Sequence, residues 1–191
     1  QKCLIQMSTS GGKGYVFLET HLGGGGHRHA VMECIPIPSS SMITELPGYF
    51  KEALTLVDEE WSQHRKIIET GTGGEREAGT NDRSFRTTLT PQLPYFHVWF
   101  GLDGRSRGMG HVIEDRDQFP SYFVLEVVGE VINGWGEDHP EDMAGQGNGK
   151  DVSIEPRRWR KPRHLPKQEW QAIASNFSTQ WDPYDWTKTL G

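Results

Sequence analysis

The sequence predicts an α+β fold with mostly antiparallel strands, on three observations. Apolar and β-branched residues nearly alternate in GYVFLET (14–20), HAVMECIPI (29–37), PYFHVWFGL (94–102) and MGHVIE (109–114), the pattern of half-buried strands. Other stretches repeat apolar residues at helical spacing. The elements run β-β-α-β-β-α-α, in which β-β-α occurs twice without an internal repeat of fixed period.

The first two strands are separated by the glycine run Gly23 to Gly26, which reads as a loop, so they are expected to pair. After PIPSSS, the segment from Pro47 to Ile68 sets Phe50, Leu54, Val57, Trp61 and Ile68 near helical spacing and closes at Gly71. This predicts one amphipathic helix with Trp61 packed inward. From Thr70 to Thr90 the chain turns to Gly, Thr, Arg and Glu, too polar to offset the entropy of ordering, and a mobile excursion is expected. The third and fourth strands flank DGRSRG, whose glycines permit a hairpin-like turn. A second helix begins near Pro120, with Phe119, Phe123, Val127, Val128, Val131 and Ile132 as its core face. Gly134 to Asp151 is a second polar insert. The last helix starts around Pro166, aligns Trp170, Ile173, Phe177 and Trp181, and stops at Pro183.

Composition bounds the function. The 191 residues suffice for one compact core or two small ones, and 34% apolar residues with a negative mean hydropathy suit a folded body carrying polar inserts. Seven Trp and eight Phe must fill the core or face partners. A net charge of −6 argues against wholesale wrapping by nucleic acid but leaves room for a local basic patch. Cys3 and Cys34 are too few for a disulfide framework or a zinc site and predict buried, reduced thiols in the cytosol or nucleus. No apolar run approaches the roughly 18 residues a membrane span needs, and no signal peptide is expected. The chain opens on QKCLIQM without an initiator Met and reads as a fragment whose preceding residues share its fold.

The basic patch is EPRRWRKPRHLPK. Arg157, Arg158, Arg160, Lys161, Arg163 and Lys167 fall within a short run broken by Pro156, Pro162 and Pro166, which predicts an extended strip. Arg forks suit phosphate oxygens and Trp159 can stack on a base, so the strip reads as a landing site for RNA. A solvated face neutralised by the upstream EDHPED, with Trp159 as a core anchor, is the alternative, and an acidic protein partner is another.

Several phrases in order, VFLET, HAVMECIPIP, DEEWS, PYFHVWFGLDG, GHVIED, FPSYF, EPRRWRKP and WDPYDWT, resemble the CwfJ splicing-factor family, the Cwf-nineteen-like proteins of late spliceosomes. Departures lie in the two polar inserts and in the RSR at 105–107. The resemblance implies HIT-like antiparallel strands followed by a β-β-α-α unit. Residues 1–41 would close a HIT-like region and 42–191 form the CwfJ C-terminal 2 region, with flexible inserts near 70–90 and 134–152.

HIT nucleotide hydrolases and transferases carry His-x-His-x-His, then two apolar residues and often Pro, and the middle imidazole attacks an α-phosphate. Counted back from Pro36, the resemblance puts His29 first, Val31 at the attacking position and Glu33 third. Valine has no lone pair to offer. The other register, His27, His29 and Val31, keeps a central imidazole but loses the third. Strand alternation puts His27, His29, Val31 and Glu33 on one face. His29 reads as bonded to a carboxylate such as Glu33, as exposed beside the glycine loop, or as a residual phosphate contact with His27 and His111. His111 and His97, on neighbouring strands, face one another or join a carboxylate at a metal, while Glu114, Asp115 and Asp117 read as helix-capping acids; no metal or cofactor is expected.

The function implied is that of a non-enzymatic factor of late, intron-lariat spliceosomes in the nucleus. It would bind spliceosomal proteins and intron-lariat RNA or snRNA, assist the lariat debranching enzyme, and keep away from membranes. The alternative is a HIT-type nucleotide hydrolase or transferase using His29, with His111 or His97 as acid. A protein-interaction module without RNA contact is a third reading.

Overall fold

The computed structural model describes residues 2–9, 13–23, 29–56, 67–70, 93–100, 108–138 and 165–190. Their centre is one five-stranded sheet. Strands β1 (Gly14–His21), β2 (Val31–Ile37), β3 (Ile68–Thr70), β4 (Tyr95–Trp99) and β5 (Gly108–Val112) lie in the order β2-β1-β4-β5-β3. Every neighbouring pair is antiparallel. The sheet runs without a break across residue 41, the boundary expected between the two family regions.

Alternation decides the faces. Val16 and Leu18 of β1, Ile35 and Ile37 of β2, Phe96 and Val98 of β4, and Met109 of β5 point to one side and are buried there. Against them pack α2 (Leu46–Leu56) and α3 (Phe123–Asp138). Helix α2 contributes Leu46, Phe50 and Leu54, spaced four apart on one stripe. Helix α3 contributes Phe123, Val124, Val127, Val128, Val131 and Ile132, the core face its spacing predicts, with Phe119 just ahead of it. Phe96 is the centre of this core: its ring lies 5.7 Å from those of both Phe119 and Phe123. Each such side chain taken out of water stabilises the fold by about 1.5–3 kcal/mol.

Pro36 lies on β2, an edge strand, the place in a sheet where a residue without an N–H is tolerated. A short 3-10 turn, Ser40–Thr44, links β2 to α2, and the Ser39 hydroxyl accepts from the Ser41 N–H at its start. Ahead of α3, the Asp115 carboxylate accepts from the backbone N–H groups of Asp117 and Gln118 and so closes a turn before the helix. The sequence predicts instead a cap of the helix itself, which begins at Phe123.

Four features differ from expectation. Helix α2 ends at Leu56, and Ile68–Thr70 is a strand, not the end of a helix or the start of an excursion. The cause is tertiary. Strand β5 would otherwise end the sheet with unpaired N–H and C=O groups, and Ile68 to Thr70 satisfy them. Helix α3 runs through Gly134 to Asp138, so the first residues of the expected 134–152 insert are helical. An exposed Gly costs a helix only about 1 kcal/mol, and the partly buried Trp135 holds the turn to the core. A helix, α1 (Lys2–Thr9), precedes β1 and packs against it. Finally, Cys3 and Cys34 are half-buried free thiols, and burial pushes Cys34 up to about 11. Val57 and Trp61 of the expected helix, and the rest of the two expected inserts, lie outside the described residues.

The last helix, α4 (Lys167–Trp181), starts directly after Pro166 as expected. Two 3-10 turns, Asp182–Tyr184 and Trp186–Leu190, follow it. The first of them, with α4 itself, neighbours α1. No helix among the described residues is long and apolar enough to cross a membrane.

Candidate interaction surface

The start of β2 holds the residues that the HIT-like register singles out. Val31 pairs with Thr20 and Glu33 with Leu18, on the same face as the buried Ile35 and Ile37. The strand slopes out of the core toward its beginning. Ile37 is 1% exposed, whereas Val31 is 58% exposed, and His29 precedes the strand in open, exposed chain. His29 and Glu33 form no hydrogen bond or ion pair with one another among the described residues. His27 lies outside them.

His111 does not join this group. Val31, Thr20, Phe96 and His111 form one row across four strands, so His111 stands three strand spacings from Val31, about 14 Å. It is 2% exposed and stacks on Phe96 with ring centroids 6.2 Å apart. Its Nδ1 lies 2.7 Å from the Val112 carbonyl, which offers only lone pairs, so Nδ1 carries the proton and donates.

His97 does not face His111 either. It pairs with Gly110, one residue out of step, and therefore points to the opposite side of the sheet. There it is fully buried, with Nε2 2.5 Å from the Thr70 hydroxyl and the Trp99 ring edge-on at 4.2 Å. Burial pushes its pKa down to about 3, so the ring is neutral at physiological pH. On the same side Tyr95 donates from its hydroxyl to the Glu19 carboxylate at 2.5 Å; burial, reinforced by that bond, raises the phenol. Among the described residues no three His, Cys, Asp or Glu side chains gather as metal ligands. The Thr70–His97–Trp99 cluster escapes sequence reasoning because Thr70 reads as loop; the glycine at 108 is the one hint of close packing.

The third surface is α4. Trp170, Ile173 and Phe177 fall on one stripe as expected, but no side chain of this helix is buried. Of the basic strip, Lys167 is the exposed first residue of α4. Arg157, Arg158, Trp159, Arg160, Lys161 and Arg163 lie outside the described residues.

Residues 60–142 match the family described as "Protein similar to CwfJ C-terminus 2". CWF19-like protein 2 of Homo sapiens is 34% identical over 189 residues, 99% of this chain. The chain belongs to the CwfJ/Cwf19 family. The Danio rerio CWF19-like protein 2 is 33% identical over the same length. A Schizosaccharomyces pombe member, pre-mRNA-splicing factor cwf19, is 39% identical over 156 residues, 74% of this chain and 23% of its own length. This CwfJ/Cwf19 chain spans 16% of the Danio rerio protein and 17% of the human one.

Proposed function

We propose that this CwfJ/Cwf19 chain is a non-enzymatic part of a nuclear pre-mRNA-splicing factor that works in late, intron-lariat spliceosomes. The observation that carries this reading is the 39% identity to a relative named pre-mRNA-splicing factor cwf19. The geometry supports the absence of catalysis. In the HIT-like register an aliphatic side chain, Val31, occupies the attacking position, and His29 stands exposed at the edge with no described acid oriented on it. His111, the other imidazole on that face, is buried across the sheet.

In this reading HAVMECIPIP is an architectural remnant of a HIT-like strand. The Arg157 to Lys167 strip meets intron-lariat RNA or snRNA through its phosphates, the remaining surface binds spliceosomal proteins, and the factor assists the lariat debranching enzyme by presenting the branched intron. The test is depletion of the factor from cells, followed by sequencing of intron lariats. Lariats accumulate on depletion and return to normal with the wild-type protein but not with Arg157→Glu/Arg158→Glu. Unchanged lariat levels on depletion overturn the reading, as does turnover of labelled nucleotide that His29→Ala abolishes.

A further inference from the structure

Helix α4 combines high exposure with large apolar side chains. Trp170, Ile173 and Phe177 are 50%, 58% and 46% exposed. With Trp181 they recur every three or four residues and so share one stripe. The Phe177 and Trp181 rings lie nearly parallel, 6.3 Å apart. An aromatic side chain offers about 150–250 Å², so the three most exposed members leave roughly 250–350 Å² of apolar surface in water, a size at which surface patches are commonly functional.

Charge selects the occupant. The segment that leads into α4 carries Arg157, Arg158, Arg160, Lys161, Arg163 and Lys167, in a chain whose net charge is −6. A second copy of this chain would bring two cationic runs together. An apolar protein groove would match the stripe but leave the cations unanswered. A polyanion with flat apolar faces matches both. Duplex RNA hides those faces in its own stack, whereas a single strand presents them.

We propose that the Trp170, Ile173 and Phe177 stripe of α4 is a base-stacking platform for single-stranded RNA. The proposal rests on the reading that the basic strip meets RNA phosphates, and it assigns the bases to a surface of their own. Trp170 and Phe177 are seven residues apart, about 10.5 Å along the helix axis. That span matches roughly three base steps at 3.4 Å each, so one short run of nucleotides reaches both rings, with Ile173 in aliphatic contact between them. The contact is tolerant of sequence, because every base has a flat face.

The test is the anisotropy of a short labelled oligoadenylate titrated with the full chain over a series of salt concentrations. Trp170→Ala and Phe177→Ala each weaken Kd by about 5- to 150-fold and leave the salt slope unchanged, whereas the conservative Trp170→Phe keeps most of the wild-type affinity. Arg157→Glu/Arg158→Glu flattens the salt slope. Both aromatic residues are exposed, so the alanine variants keep the wild-type circular dichroism. If those variants bind RNA like the wild type while the slope persists, the platform is overturned and the reading of the basic strip stands. If the wild type binds no RNA at low salt, both fall. Loss of a spliceosomal protein partner in Trp170→Ala with RNA affinity intact overturns the platform in favour of a protein groove. Loss of a concentration-dependent dimer overturns it in favour of a second copy.

Discussion

Gly108→Ala is the most revealing single change in the sheet. A Cβ at this position would stand 2.5 Å from His97 Cε1 and 2.6 Å from the Val98 carbonyl oxygen. Neither atom can retreat cheaply. The carbonyl belongs to β4, and the imidazole is fully buried, with Trp99 on one side and Thr70 on its Nε2. Overpacking of this kind costs about 1–3 kcal/mol. Displacing the ring also breaks the bond between His97 and Thr70, and a buried polar group left unsatisfied costs about 1–3 kcal/mol more. Against this, replacing Gly by Ala restricts the unfolded chain and returns about 0.4–1 kcal/mol. The net expectation is destabilisation by about 1–5.6 kcal/mol, read as a lower urea midpoint at unchanged m. Gly134→Ala is the internal control. No atom lies within 4 Å of its would-be Cβ, it sits within α3, and helix propensity favours Ala by about 0.8–1 kcal/mol, so this variant is neutral or more stable. A Gly108→Ala midpoint equal to that of wild type would refute the packing of His97 over β5.

Stability should also depend on pH through His97. Its folded pKa, about 3, lies below the unfolded value of about 6.5, so below pH 6.5 the unfolded chain binds a proton that the folded chain refuses. Stability therefore falls as pH drops from about 6.5 toward 3, by about 2 kcal/mol at pH 5, and His97→Gln removes that component of urea melts compared at pH 7 and pH 5. Phe96→Ala, at a fully buried ring between Phe119 and Phe123, should cost about 3–5 kcal/mol by the same melts. Neither the wild type nor His29→Ala should turn over labelled nucleotides, measured by product release.

What the sequence made legible followed local pattern. Strands β1, β2, β4 and β5 are nearly alternating, and the α3 stripe from Phe123 to Ile132 has a clear helical period. Strand β3 was hidden because its three residues continue the apparent spacing of α2; only the need of β5 for a neighbour makes them a strand. The relation of His97 to His111 was hidden for a different reason. Both lie on expected strands, but whether they meet depends on a one-residue difference in register, which pattern cannot supply. In α4 the apolar stripe was plain and its exposure was not, since periodicity gives the direction of a face and never what lies opposite it.

The order of the strands also shapes how the chain acquires its form. β1 with β2, and β4 with β5, are neighbours in sequence and close small loops, but the seam between them joins Phe17 to Trp99. Those residues are roughly 80 positions apart, so the seam carries a larger closure entropy than either hairpin. The expected order is that the two ribbons form first and their encounter along the seam limits the rate of refolding. Substitutions between β4 and β5, whose contacts precede that encounter, should slow refolding with little change in unfolding, while those along Leu18 and Val98 should divide their effect between the two rates.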